Sequence, residues 1–166
     1  MTTASADVRL DGAESSGLRT GSFLMAFAAI GFIGYAVIFF VRNFTDSFLE
    51  LGLGHSEVDV GKDQITQFSP SLYHYISHLH IAVSGFIAAT GLAVFFLVWF
   101  GVRRGYIWAW VGAVAAPVLA LAVALPAHYP NDLDTIGHLG LIYLATVIFV
   151  VGALMTLNAL TKKAPS

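Results

Sequence analysis

The sequence predicts an all-α integral membrane protein, a four-helix bundle with both termini on the cytoplasmic side. Three observations support this fold class: the composition, the length of the apolar stretches and the distribution of basic residues. Of the 166 residues, 57% are hydrophobic and 11% are charged, whereas a soluble domain carries about 25% charged residues. The mean hydropathy is +0.78. These values are typical of a polytopic membrane protein.

The apolar residues form stretches of about 20, the length that an α-helix needs to cross a bilayer. Four such spans occur, at Gly21–Val41, Leu79–Gly101, Tyr106–Leu125 and Leu139–Leu160. They define a single transmembrane domain over residues 21–161, with a disordered tail over 1–20, an outer loop over 42–69 and a C-terminal tail over 162–166. No room remains for a soluble domain.

Helix-start signals precede the second and fourth spans. Ser69 stands where an N-cap is expected, and Pro70 takes the first helical position. Asn131-Asp132-Leu133-Asp134 offers several good N-caps ahead of the fourth span. The first span carries Gly31 and Gly34, small residues that let neighbouring backbones approach closely, and it is expected to be a packing element.

Basic residues near the helix ends predict the orientation, because cytoplasmic loops carry an excess of Lys and Arg. Six of them fall on the side of the termini, and two fall on the other side, at Arg42 and Lys62. The protein is therefore expected in a bacterial cytoplasmic membrane with its outer loop exposed. We expect an interfacial belt of aromatic side chains on the cytoplasmic side, formed by Trp99, Tyr106, Trp108 and Trp110.

Charge and cysteine content exclude several function classes. The net charge of −2 argues against a nucleic-acid partner, because the basic residues that would neutralise phosphates are missing. The sequence has no cysteine, which rules out disulfides, thiolate metal sites, Fe–S clusters and thiol catalysis. The expected partners are the lipid bilayer and either a larger membrane complex or further copies of the chain.

Histidine is confined to the outer side of the predicted bundle. All six fall there, together with seven of the ten acidic residues: His55, His74, His78, His80, His128 and His138. Side chains four apart on a helix share a face, so His74 with His78, and Asp134 with His138, are each spaced to bind one ion. Imidazole and carboxylate without sulfur suit zinc, copper or non-haem iron.

Helical periodicity turns these residues inward. On the second span one broad arc holds the small and polar side chains, with His74 inside the arc and His78 and His80 at its edges. The opposite side is bulky and apolar: Leu79, Val83, Phe86, Ile87 and Val94. On the fourth span Asp134 and His138 lie above a stripe of small and polar residues ending at Thr156. Both helices therefore are expected to direct potential ligands into the bundle.

The outer loop is acidic and long enough to act as a lid or a docking surface. Ser56-Glu57-Val58-Asp59 fits a capping-box pattern and predicts a short helix within it. Asp46, early in the loop, is a candidate lid ligand. A plain solvated acidic connector is the alternative.

Three functions remain open at this point. The first is a divalent-metal site at the outer mouth of the bundle, with redox or hydrolytic chemistry, built from His78, His80, His128, Asp134, His138 and Asp46. The second is a haem b electron-transfer protein with two axial histidines taken from His78, His80, His128 and His138. The third is an accessory subunit of a respiratory or oxygenase-type membrane complex, without its own chemistry.

From Phe48 to about Tyr143 the chain resembles small four-helix bacterial membrane proteins of uncharacterised function. The resemblance lies in His80-Ile81-Ala82-Val83-Ser84-Gly85, in Arg103-Arg104-Gly105-Tyr106-Ile107-Trp108-Ala109-Trp110 and in Asp134-Thr135-Ile136-Gly137-His138. An early acid in the outer loop, here Asp46, is also similar. Those proteins often have an aspartate directly after the helix histidine, where this chain has Ile81. The resemblance implies no activity, but it favours His80, Asp134 and His138 as site residues over His55 and His74.

Overall fold

A computed structural model of the protein describes residues 3–48 and 50–162, with side chains from residue 16 onward except that of Asn131. The described part of the chain contains five α-helices and no strand: α1 (Thr3–Thr45), α2 (Lys62–Phe68), α3 (Pro70–Phe96), α4 (Ile107–Ala124) and α5 (Ile136–Lys162). The all-α class is confirmed. Residues 163–166 of the predicted C-terminal tail lie outside the described residues.

Four helical segments are long and apolar enough to cross a membrane, judged by length and composition: Ser16–Thr45, Pro70–Arg104, Ile107–Ala127 and Ile136–Lys162. They contain nearly all of the four predicted spans. α3 continues as a π-helical turn over Leu97–Gly101 and a 3-10 turn over Val102–Arg104. We call the end with these arginines the arginine end. The opposite end, which carries residues 46–48 and 50–61 and the α4–α5 connection, is the loop end.

The predicted start of α3 is confirmed, whereas the predicted start of α5 is not. Ser69 caps α3, its hydroxyl accepting from the Leu72 amide at 3.3 Å, with Pro70 in the first turn. The predicted N-cap of α5 is wrong, because Thr135 takes that position and accepts from the His138 amide at 3.2 Å. Residues 3–20, predicted to be disordered, are helical in the structure and continue α1. This stretch lacks proline, and extending a formed helix adds one hydrogen bond per residue.

The capping-box prediction in the loop is also wrong, since residues 55–57 form a turn. Glu57 Oε2 accepts from the Gly54 amide at 2.9 Å, and Glu57 Oε1 accepts from the Ser56 hydroxyl at 2.7 Å. The Ser56 hydroxyl and then the Gly54 amide lower the pKa of the Glu57 carboxyl, because both stabilise its charged form. The short helix begins instead at Lys62, where Gln64 Oε1 accepts from the Gly61 amide at 2.9 Å.

α1 is the central helix and forms the two largest helix interfaces, with α5 and with α3. α1 and α5 approach each other closely at the arginine end, where Gly21 and Gly152 face each other. A Cβ built on Gly152 would lie 2.6 Å from the Gly21 carbonyl oxygen and 2.9 Å from the Met25 amide nitrogen. Gly31 and Gly34, the predicted packing glycines, are exposed instead. The close approach of small residues is thus real but lies elsewhere on α1.

The inward-facing sides of α3 and α5 agree with the helical periodicity. On α3 the buried residues include His80, Ser84 and Gly91, while Leu79, Val83 and Phe86 are exposed. Val94 was predicted to face outward, but it is 3% exposed. It lies where α4 and the π-helical turn complete the core. On α5 the buried residues include His138, Gly152 and Thr156.

The core lies at the arginine end and is built of small or compact side chains. Its members come from all four long helices and the turns after α3: Met25, Ala26, Ala28, Ala29, Val94, Val98, Val102, Ala109, Ala113, Phe149 and Ala153. Trp110 was predicted to join the interfacial belt, but its indole turns inward. The Trp110 Nε1–H is 3.1 Å from both the Ala153 carbonyl oxygen and the Thr156 hydroxyl. Trp108 is exposed, as expected of a belt residue.

Candidate functional site

The loop folds back over the end of the bundle because Arg42, near the end of α1, holds it there. Its Nη2 donates to the carbonyl oxygens of Phe48 at 3.2 Å and Glu50 at 3.4 Å. Its Nη1 pairs with Asp46 Oδ1 at 3.3 Å. One guanidinium therefore ties three loop positions to the helix, and Glu50 is carried toward the bundle axis.

A glycine contact brings the same loop against the first turn of α5. Gly52 has φ of +74° and packs directly on the backbone of Gly137. A side chain at Gly52 would be strained by this left-handed conformation and would collide with the helix. The close seating places the Leu51 carbonyl oxygen 2.8 Å from His138 Nδ1.

His138 and Glu50 form the centre of the site. The His138 side chain is 2% exposed, and its Nε2 lies 3.2 Å from Glu50 Oε2. Since the Leu51 carbonyl can only accept, Nδ1 carries the proton, and in a neutral ring Nε2 keeps its lone pair. The described residues give Nε2 no hydrogen bond of good geometry. The Nε2 lone pair and the Glu50 carboxylate oxygen repel each other at this distance, so a proton or a cation between them would be stabilising.

His128 repeats this arrangement on the α4–α5 connection. Its Nδ1 donates to the Ala124 carbonyl oxygen at 2.9 Å, which leaves Nε2 without the proton in the neutral ring. The His128 and His138 ring centroids are 5.2 Å apart, with an angle of 35° between the planes. A backbone carbonyl that fixes the histidine tautomer is the usual companion of a metal-binding imidazole. We call Glu50, His128 and His138 the Glu50 cluster.

His80 is buried but turns toward α1. Its Nε2 is 3.0 Å from the Phe39 carbonyl oxygen, and its ring stacks on that of Phe39 with centroids 3.7 Å apart. Glu50 lies within electrostatic reach of His80 and of Tyr35. His80 therefore borders the Glu50 cluster, but the contact with Phe39 occupies its Nε2.

The other predicted site residues are not drawn into this cluster by any described contact. His74 and His78 are exposed on α3, and His55 packs its ring edge-on against Phe48. Asp46 pairs with Arg42 and also accepts from the Thr45 hydroxyl at 2.9 Å. Asp134 is exposed and precedes α5, so helical periodicity does not apply to it.

The side chains that the structure describes include no group of three or more His, Asp or Glu with the spacing of a metal site. Two atoms of the Glu50 cluster nevertheless lie at a distance that suits two ligands of one metal ion. Ligands each about 2.1 Å from a tetrahedral ion lie roughly 3.4 Å apart, close to the 3.2 Å between His138 Nε2 and Glu50 Oε2. The cluster can thus bind a cation or share a proton, with His128 as the adjacent third group.

Glu50 was missed by sequence reasoning, which singled out Asp46 in the same loop. Gly52 and Gly54 follow Glu50 and were the available signal, because glycine pairs allow a loop to reverse against a helix. A second polar contact was also missed. Asn43, fully buried on α1, donates from Nδ2 to the Ser77 hydroxyl at 2.8 Å and joins α1 to α3 beneath the loop.

Comparison with family models, with curated proteins and with solved structures gives no match to this chain.

Proposed function

We propose that this chain is an integral membrane protein that binds one divalent transition metal ion at its loop end. The proposed ligands are His138 and Glu50, with His128 as the third. Zinc, copper and iron all accept this combination of imidazole and carboxylate. The metal would serve a redox or hydrolytic reaction at the membrane surface.

The apolar exterior supports the membrane assignment. Large side chains on all four long helices are exposed, among them Phe23 at 61%, Phe86 at 73%, Val123 at 72% and Leu154 at 62%. Exposure on this scale requires lipid or partner helices. The excess of basic residues at the arginine end supports a cytoplasmic location for that end and for both termini. The Glu50 cluster would then face the extracytoplasmic side.

The observation that carries the proposal is the buried Nε2 of His138. A polar atom on a side chain only 2% exposed, without a hydrogen bond, is costly unless something satisfies it. Its neighbours are a carboxylate and a second imidazole, and both rings have their Nδ1 atoms committed to backbone carbonyls. Imidazole and carboxylate are common metal ligands, and a carbonyl bound to Nδ1 is the kind of outer-shell contact that orients a metal-binding histidine.

Metal titration of the purified protein in lipid nanodiscs tests the proposal. Zn²⁺ is titrated by calorimetry, and Co²⁺ is added as a spectroscopic probe. We expect one ion per chain and a cobalt spectrum typical of imidazole and carboxylate ligands. His138→Gln and Glu50→Gln should each weaken Zn²⁺ binding by more than the roughly 10–100-fold that is typical of losing an outer-shell partner, because each removes a proposed ligand. Thermal melting of each variant without metal shows whether it remains folded.

Two controls remove an imidazole or a carboxylate outside the cluster: His78→Gln on the exposed face of α3, and Asp59→Asn at an exposed position of the loop. Both should bind Zn²⁺ like the parent. The proposal fails if folded His138→Gln binds as tightly as the parent, or if His78→Gln abolishes binding. Elemental analysis and an optical spectrum of the protein as purified address the other predictions. A Soret band would favour the haem protein, and the absence of both haem and metal would favour the accessory subunit.

A further inference from the structure

An apolar cavity of about 240 Å³ lies between the Glu50 cluster and the core and opens to the bundle exterior, where the exposed side chains of Val83 and Phe86 line it. All four long helices line it. Its lining includes the buried residues Tyr35, Val94, Pro117 and Phe149 and the more exposed Thr90 and Ala124. A lining hydroxyl, that of Thr90, already donates to the Phe86 carbonyl at 2.8 Å. A site so poor in free polar groups favours an apolar ligand.

The cavity has two different ends. Toward the arginine end it stops at Val94 and Phe149, both members of the buried core. Toward the loop end it reaches Ala124, whose carbonyl oxygen accepts from His128, and Tyr35, which is within electrostatic reach of Glu50. An occupant would therefore have its apolar end at the core and any polar end beside the Glu50 cluster.

The depth of the cavity corresponds to one leaflet of a bilayer. Val83 and Val94, which both line the cavity, are 11 residues apart on α3, or roughly 16 Å at 1.5 Å per residue. Half of the hydrocarbon thickness of a membrane is about 15 Å. A lipid chain that enters the cavity at the level of Val83 would end near Val94.

The packing of α4 leaves a side entrance at this depth. α4 packs chiefly against the π-helical turn Leu97–Gly101 at the arginine end, and its contacts with α5 are few. The buried Pro117 lies where α4 passes from the core to the cavity. A proline inside a helix lacks the backbone N–H and bends the helix. The loop-end half of α4 is thus less closely packed than its other half.

We infer that this cavity binds one hydrocarbon chain of a membrane phospholipid, with the polar end of the lipid directed toward the loop end. The inference goes beyond the metal site and does not depend on it. It assigns the space between the Glu50 cluster and the core, for which the metal proposal has no use, to an apolar ligand taken from the bilayer.

Photo-cross-linking in phosphatidylcholine vesicles tests this inference. The full-length protein is reconstituted with a small fraction of phosphatidylcholine carrying a diazirine, either near the terminal methyl or near the carbonyl of one chain. Labelled residues are mapped by mass spectrometry. We expect the terminal diazirine to label Val94 and Phe149, which are 3% and 5% exposed and face away from surrounding lipid. The carbonyl-proximal diazirine should label Tyr35, which is also buried.

A double substitution that fills the cavity, Ala120→Leu with Ala124→Leu, should abolish labelling of Phe149. Ala122→Leu is the matched control, since Ala122 is exposed on the same helix but does not line the cavity. If the double variant melts below the parent, Ala124→Leu alone is used. Labelling confined to outward side chains such as Leu119 and Val123, or unchanged labelling of Phe149 in a folded filled variant, would overturn the inference. Zn²⁺ titration of the same variants shows separately whether the metal site is intact.

Discussion

The arginine end and the loop end of this bundle are built from the same four helices but are stabilised in different ways. At the arginine end, α1 and α5 meet backbone to backbone at Gly21 and Gly152, and Trp110 links α4 to α5. At the loop end, polar contacts dominate: Arg42 to the loop, Asn43 to Ser77, and His138 to Leu51.

The contacts that stabilise the bundle and the residues of the candidate site therefore lie at opposite ends of the molecule. Close van der Waals packing of small residues stabilises helix association in lipid, where hydrophobic burial contributes little. Such packing is found at the arginine end, away from the Glu50 cluster. The loop end has a cavity, a loop and buried polar groups, which are features of binding sites. Substitutions at the two ends should therefore differ in kind as well as in size.

The largest effect is expected from Gly152→Ala at the arginine end. The added Cβ would meet backbone atoms of α1, so the two helices must separate, at a cost of about 1–3 kcal/mol in the free energy of unfolding. Gly34→Ala is the matched control, because a Cβ there meets no described atom within 4 Å. It should be neutral or more stable by up to about 1 kcal/mol. Equal melting temperatures for the two variants would mean that the Gly21–Gly152 contact does not hold the bundle.

A smaller effect on stability is expected from Arg42→Gln at the loop end, since partly exposed ion pairs contribute about 0–1 kcal/mol. The loop, however, should be released. Trypsin added outside intact spheroplasts should cut after Lys62 several-fold faster than in the parent. Arg103→Gln, at the other end, should leave that rate unchanged. Cleavage at the Arg103–Arg104 turn instead would show that the chain has the opposite orientation.

The smallest effect concerns the turn at Glu57. The pKa of this carboxyl is lowered in the folded loop. Its hydrogen bonds with Ser56 and Gly54 therefore stabilise the turn fully at a pH above the ordinary pKa of 4.5. That contribution is lost as the pH falls through the lowered value. In an NMR titration, the Gly54 amide shift should follow a midpoint below 4.5. Ser56→Ala should move the midpoint upward, whereas Ser47→Ala should not. An unchanged midpoint in Ser56→Ala would show that the Ser56 hydroxyl is not the main cause of the lowered Glu57 pKa.

The spans and the inward faces could be predicted because both depend on local patterns. Hydropathy over about 20 residues located the four spans, and the 3.6-residue period located His80 and His138 on buried faces. Val94 was misassigned, since burial there comes from the packing of α4 and not from the period of α3. The cap at Thr135 was missed because three better N-cap candidates precede it, Asn131, Asp132 and Asp134.

The composition of the site could not be predicted for a different reason. Glu50 reaches His138 through a loop path set by three distant groups: Arg42, the positive φ of Gly52 and the backbone of Gly137. None of these follows from the periodicity of a helix. The sequence suggested that His138 and an outer-loop acid belong together, but Asp46 was chosen. The ligand role of His138, His128 and His80 remains a prediction.

The largest interface joins α1 to α5, the first and last helices of the described chain. Contacts such as Gly21 with Gly152 close a loop of more than a hundred residues, and long sequence separation slows folding. During biosynthesis α1 must therefore wait, with its small-residue face unpaired, until translation has reached α5. A ribosome that stalls within α4 would leave a product lacking its main helix pairing, and we expect such truncated chains to be degraded.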